Sequence, residues 1–150
     1  MGNIVSAKKI ADTLTSDGRK TTANTVESYI QALKDAFILY EAGRYDIKGL
    51  QFLKSLEKYY VVDVGLRSLI LGERTRDLGH ILENLVYLEL IRRGYQVYIG
   101  KVGNLEVDFI AEKNGEKIYY QVAATILDPA TYEREFAPLK AIPDNYPKYV

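Results

Sequence analysis

The stretch "VDFIAEKNGEKIYYQVA", Val107 to Ala123, decides the fold. Two runs rich in β-branched and aromatic residues flank Asn114-Gly115. That pair suits a two-residue type I′ hairpin turn, where both positions need a positive φ. The turn sets Lys113 opposite Glu116, a favourable cross-strand charge pair. Partner numbers then sum to a constant, so Asp108 falls opposite Gln121 and Glu106 opposite Ala123. Strict alternation puts Glu106, Asp108, Ile110, Tyr119, Gln121 and Ala123 on one face. Val107, Phe109, Ala111, Ile118, Tyr120 and Val122 share the other, which reads as core. A second two-residue turn at Gly103-Asn104 would set Lys101 opposite Glu106 and Ile99 opposite Asp108. One face thus gathers Lys101, Glu106, Asp108 and Gln121. Taken alone, such a face is more often a solvated sheet surface than a site.

Upstream, "LGHILENLVYLELIRRGYQVYIG" gives a helix from Leu78 to Arg93, apolar on most of its circumference and so expected to be largely buried. Gly94 suits its C-terminal cap, and Arg92 and Arg93 match the dipole of its last turn. Strands follow near residues 96–100, 106–112 and 117–123. In "DPATYEREFAPLKAI", Asp128 is placed as an N-cap and Pro129 as the first helical residue. Arg134 and Glu135 suit an ion pair, and "KYV" reads as a strand cut short. The order α, β, β, β, α, (β) describes a small α/β layer fold with a mixed sheet.

The first 70 residues have another order. "SAKKIADTL" spaces Val5, Ile10, Ala11 and Leu14 as one helix face behind Ser6 as N-cap. "SDGRKTTA" is a turn. Asn24 and Glu27 sit at capping-box spacing before a second helix with Val26, Tyr29, Ile30, Leu33 and Phe37 on one side. "FILYEAGRYDI" and "EKYYVVD" read as strands joined by "KGLQFLKSL". Helix, turn, helix, hairpin is the order of a winged helix-turn-helix lacking its first helix, which suggests a piece of a longer protein. The polar stretch "LGERTRD", Leu71–Asp77, is the expected linker. The reading is therefore α+β or α/β in two parts: residues 1–70, a linker at 71–77, and residues 78–150.

Composition narrows the functions. Twenty Lys and Arg balance twenty Asp and Glu, which argues against indiscriminate polyanion binding but allows a local basic patch. With no cysteine and the single His80, thiolate and histidine-rich metal sites are excluded. No apolar run reaches membrane-span length and no signal peptide is evident, so a cytoplasmic protein without membrane contact is expected. The cations nearest the turn and the hairpin of the first part are Arg19, Lys20, Arg44 and Lys48. They are the candidate DNA contacts, of the phosphate-binding kind that gives salt-sensitive affinity without sequence readout. DNA contact and protein packing are equally open for this part.

The string "GHILENLVYLELIRRGYQVY", "NLEVDFIAE", "IYYQVA" and "TYERE" resembles the C-terminal domain of many bacterial and archaeal AAA+ ATPases. That domain is of unknown function and has a PD-(D/E)XK, restriction-endonuclease-like fold. "NTVESYIQALKDAFILYEAGRYDIKG" followed by "KYYVVD" resembles the winged helix ahead of it. The resemblance covers nearly the whole chain. It implies the ATPase module of the same parent protein as partner, although no phosphate-binding loop G-x-x-x-x-G-K-[ST] occurs here. It also implies site residues. In active nucleases of the fold, a helix glutamate, a strand aspartate and the acidic residue of E-x-K hold a divalent metal, and the lysine orients the attacking water. Glu83 matches the glutamate and Asp108 the aspartate. Gln121 stands at the first position of E-x-K and Ala123 at the lysine.

A Mg²⁺ or Mn²⁺ ion on Glu83, Asp108 and the Gln121 carbonyl is the expected cofactor, held weakly because an amide adds no charge. Loss of the lysine costs about 10²–10⁴ in rate, unless Lys101 on the neighbouring strand replaces it. The leading expectation is a non-catalytic module that binds nucleic acid or protein through a degenerate nuclease-like site. The alternatives are a metal-dependent DNA nuclease with a migrated lysine, and a structural docking or oligomerisation domain.

Overall fold

The computed structural model describes residues 6–71 and 78–150. In chain order these form α1 (Ala7–Ser16), α2 (Ala23–Asp35), β1 (Leu39–Asp46), β2 (Gln51–Val61), α3 (Val64–Leu71), α4 (Leu78–Arg92), β3 (Gln96–Val102), β4 (Leu105–Lys113), β5 (Glu116–Tyr120), α5 (Pro129–Lys140) and β6 (Lys148–Tyr149). The fold is mixed α and β. Most of the expected linker lies outside the described residues, and its first residue, Leu71, ends α3. Among the described residues no helix is long and apolar enough to cross a membrane.

Local chemistry sets most boundaries. Ser6 caps α1 by accepting from the Lys9 N–H at 3.2 Å, as its position implies. The cap of α2 is Thr22, accepting from Thr25 N–H at 3.2 Å, two residues before the expected Asn24. Here the hydroxyl wins because the Thr22 backbone is already extended, with φ −121° and ψ 160°. Gly94 closes α4 with φ +80°; its N–H and that of Tyr95 return to Ile91 and Leu90. Asp128 caps α5 by accepting from Thr131 N–H at 2.8 Å, with Pro129 next. Asn114 and Gly115 take φ +53° and +80°, the two positive values of a type I′ turn.

The two sequence segments share one sheet. Its strand order is β2-β1-β3-β4-β5-β6. β1 runs parallel to β3, pairing Arg44 with Ile99, so the hairpin expected as a free wing is the edge of the sheet. Only residues 47–50 separate β1 from β2, and much of the stretch read as a connection is strand. α4 covers one face, where Tyr87 and Leu90 pack against Ala42, Tyr60, Val97, Ile99, Phe109 and Ala111. The α5 segment lies on the other, where Leu139 and Ile142 meet Ile47, Val102, Val107, Ile110 and Tyr119.

The strict alternation expected along the hairpin fails at one point. Tyr98 pairs with Ile110 but Gly100 with Val107, so Ile99 alone faces both Asp108 and Phe109. That is a β-bulge, one extra residue on β4. Beyond it the faces exchange: Val107 joins Ile110 beneath α5, while Phe109 and Ala111 lie under α4.

Candidate functional site

The bulge is what aims Asp108. It turns that carboxylate toward α4, into a cleft of about 310 Å³ lined by Gly79, His80, Glu83, Asp108, Gln121, Val122 and Glu135. The hairpin register holds from Lys113–Glu116 to Phe109–Tyr120, as expected, and then stops. The expected Asp108–Gln121 and Glu106–Ala123 pairings do not form: the Val122 N–H, which would continue the ladder, goes to the Asp108 side chain, while Gln121 donates its N–H to Tyr149 of the next strand at 2.9 Å. Side chains bridge the gap. Asp108 Oδ2 accepts from Val122 N–H at 2.8 Å, and Gln121 Oε1 accepts from Asp108 N–H at 3.3 Å. Gln121 Nε2 donates to Glu135 at 3.1 Å, and Glu135 is also ion-paired to Arg134 at 2.8 Å. Burial pushes the Asp108 carboxyl up to about 7; the Val122 N–H and Lys58 oppose this, while Glu83 and Glu106 add to it.

The cation of the site comes from an unexpected strand. Lys58, on β2 and 3% exposed, reaches Glu83 Oε1 at 3.2 Å and Glu106 Oε1 at 2.6 Å. Burial works against its charge, but Glu83 and Glu106 outweigh it and hold its pKa above the usual lysine value. Tyr60, two residues on and facing the same way, donates to Glu83 Oε1 at 2.6 Å. Burial, then the charge of Glu83, drives the Tyr60 hydroxyl far above its ordinary range. Asn84 completes the junction: its side chain accepts from Val61 N–H and donates to Val61 C=O, both at 2.9 Å. Helix α4 is largely buried, as expected, but Glu83 and Asn84 are buried with Tyr87 and Leu90, while Leu78 and Leu85 are exposed.

Lys101 pairs in register with Glu106, as expected, but takes no ion pair among the described residues. Lys58 lies in "EKYYVVD", read only as a strand of the first part's hairpin; its signal is the i, i+2 spacing of Lys58 and Tyr60, which places both on one face. Of the candidate DNA contacts, Arg19, Lys20 and Lys48 are exposed. Arg44 is not: its side chain is 12% exposed and lies 3.9 Å from Glu106, because β1 is interior to the sheet.

The expected metal ligands do not fit a metal. One Glu83 oxygen is held by Lys58 and Tyr60, the Gln121 carbonyl is turned to the Asp108 backbone, and Asp108 binds the Val122 amide. Among the described residues, no group of three or more His, Asp or Glu side chains is arranged to hold a metal ion. An ammonium is already placed among these carboxylates, and chemically the arrangement is a neutralised, hydrogen-bonded junction.

The chain is 43% identical over 148 residues to an uncharacterized protein of Haemophilus influenzae, a match covering 99% of this chain and 36% of that protein. It is 34% identical over 112 residues to an uncharacterized protein of Methanocaldococcus jannaschii, covering 72% of this chain and 24% of that one. The chain thus spans about a third and a quarter of the lengths of these relatives. No solved structure matches it. The model of the family described as "Domain of unknown function (DUF8612)" matches residues 1–77, just over half of the 150, and the chain belongs to that family.

Proposed function

We propose that this chain is a non-catalytic binding module of a longer, cytoplasmic AAA+ ATPase-like protein. In this reading a winged-helix-like first part is joined to a PD-(D/E)XK nuclease-like second part whose site no longer cuts DNA. The observation that carries the reading is the Lys58 ammonium buried between Glu83 and Glu106. It supplies inside the fold the positive charge that a divalent ion would bring. Gln121 and Ala123 agree with it, since neither provides the charge or the proton donor of E-x-K. That the chain spans only part of its relatives supports a module that serves a larger protein.

The ligand in this reading is a protein surface, such as the ATPase module of the same parent, rather than DNA. Net charge is zero and Arg44 faces inward, leaving three of the four candidate cations exposed. In contrast, Leu66, Leu69 and Ile70 on α3 and Tyr29 on α2 are exposed apolar residues. Plasmid nicking with Mg²⁺ or Mn²⁺, and mobility shifts with single- and double-stranded DNA at low and physiological salt, test the proposal. The parent is expected to leave plasmid intact and to bind no DNA at physiological salt. Cleavage by the parent that is abolished in Asp108→Ala would overturn it.

A second reading, a nuclease with a migrated lysine, gains a specific candidate in Lys58 instead of Lys101. It requires Lys58→Ala to abolish cleavage that the parent shows, and Lys101→Ala to leave it intact.

A further inference from the structure

On the opposite face of the sheet from Asp108 lies a separate cleft of about 230 Å³. It is lined by Tyr45, Phe52, Tyr98, Ile110, Glu112 and Lys117. The Phe52 ring centroid is 5.2 Å from that of Tyr45 at an interplanar angle of 71°, and 5.1 Å from that of Tyr98 at 63°. The walls therefore stand steeply tilted to one another. A planar ring would want parallel walls, whereas mutually tilted rings can present several faces to one rounded cation. Ile110, 1% exposed, is part of the lining, and Glu112 puts a carboxylate beside the rings.

The chain's own cation already uses this wall. Lys117 is the cross-strand partner of Glu112, so the two share a face. Yet its Nζ lies 5.3 Å from the centroid of Tyr45 and 5.9 Å from that of Tyr146, and Glu112 has no ion-pair partner among the described residues. An aromatic surface that draws an ammonium away from an adjacent carboxylate is suited to a cation that is cheap to desolvate. A primary ammonium keeps its water strongly, while a trimethylated one gives it up at less cost and offers methyl groups to the rings. The volume is below the roughly 300–1,000 Å³ of pockets that enclose a drug-sized ligand, so it fits one head group rather than a whole cofactor.

We propose that the Tyr45–Phe52–Tyr98 cleft binds a trimethylammonium head group, with Glu112 as its counter-ion and Lys117 as an internal competitor. Choline is the probe, and 3,3-dimethylbutan-1-ol, of the same shape without the charge, is the control. In a ¹H–¹⁵N titration of the whole chain, choline should move the amides of Phe52, Tyr98, Ile110 and Lys117 in a saturable way, and the neutral isostere should bind at least about tenfold more weakly. Phe52→Ala, at an exposed position on an edge strand, should weaken choline by about tenfold without unfolding the protein. Glu112→Gln should weaken it too, and Lys117→Ala should tighten it. The proposal is overturned if choline moves none of these amides, if choline and its isostere bind alike, or if Lys117→Ala weakens binding.

Discussion

Asp108 sits between opposing influences, and its pH response follows from them. Its carboxyl is raised from 3.8 to about 7, chiefly by burial. Between those two values the folded protein holds a proton that the unfolded chain has lost. The contribution to stability is therefore fully present below pH 3.8, falls as pH rises toward 7, and is level above that. Asp108→Asn mimics the protonated form. Unfolding free energies measured for parent and variant in metal-free buffer across this window should show the variant gaining on the parent as pH rises. A difference independent of pH would contradict the burial argument. At Tyr60, the 2.6 Å hydrogen bond to Glu83 is buried, so Tyr60→Phe should cost about 1.5–3 kcal/mol in urea unfolding, as bonds to charged groups do. A loss near zero would mean that Glu83 finds another donor.

At the scale of elements, the bulge in β4 and the glycine across from it act together. A Cβ at Gly100 would stand 2.8 Å from Val107 Cβ and 3.2 Å from Ile110 Cγ1 and Ile47 Cδ1. Val107 Cβ is fixed to its backbone, so the strands would have to separate. Gly100→Ala should therefore destabilise by about 1–3 kcal/mol, the usual cost of overpacking, read as a drop in the urea midpoint. An unchanged midpoint would show that the bulge can relax. The turn at Asn114-Gly115 and the register from Lys113–Glu116 to Phe109–Tyr120 were legible because both follow from a two-residue loop and counting. The face that Asp108 occupies was not, because one extra residue reverses alternation and composition alone does not mark it. The run Phe109-Ile110-Ala111, apolar at three successive positions, marks instead a strand covered on both faces. α3 escaped notice as the approach to a polar linker, although Asp63, accepting from Gly65 N–H at 2.6 Å, is a recognisable start signal.

For the whole molecule, the buried cluster of charges around Lys58 belongs to neither sequence segment alone. Lys58 and Tyr60 come from the part that the family model matches, and Glu83, Glu106 and Asp108 from the part that follows. Long-range partners of this kind are hard to read from one sequence, since β2 and α4 meet only once β1 has paired with β3. The junction gives these carboxylates a structural role: they fasten one half of the molecule to the other. Asn84→Ala should loosen it by leaving both Val61 backbone groups unpaired, at about 1–3 kcal/mol in urea unfolding, and a neutral result would locate the fastening elsewhere. In the proposed reading the Lys58 ammonium, held between Glu83 and Glu106, takes the place of a metal ion. A thermal-unfolding titration with Mn²⁺ on the parent and on Lys58→Met tests it most directly. The expected result is no Mn²⁺ stabilisation of the parent, and a variant weakened by about 3–5 kcal/mol that Mn²⁺ partly restores. Mn²⁺ stabilisation of the parent that disappears in Asp108→Asn would contradict it.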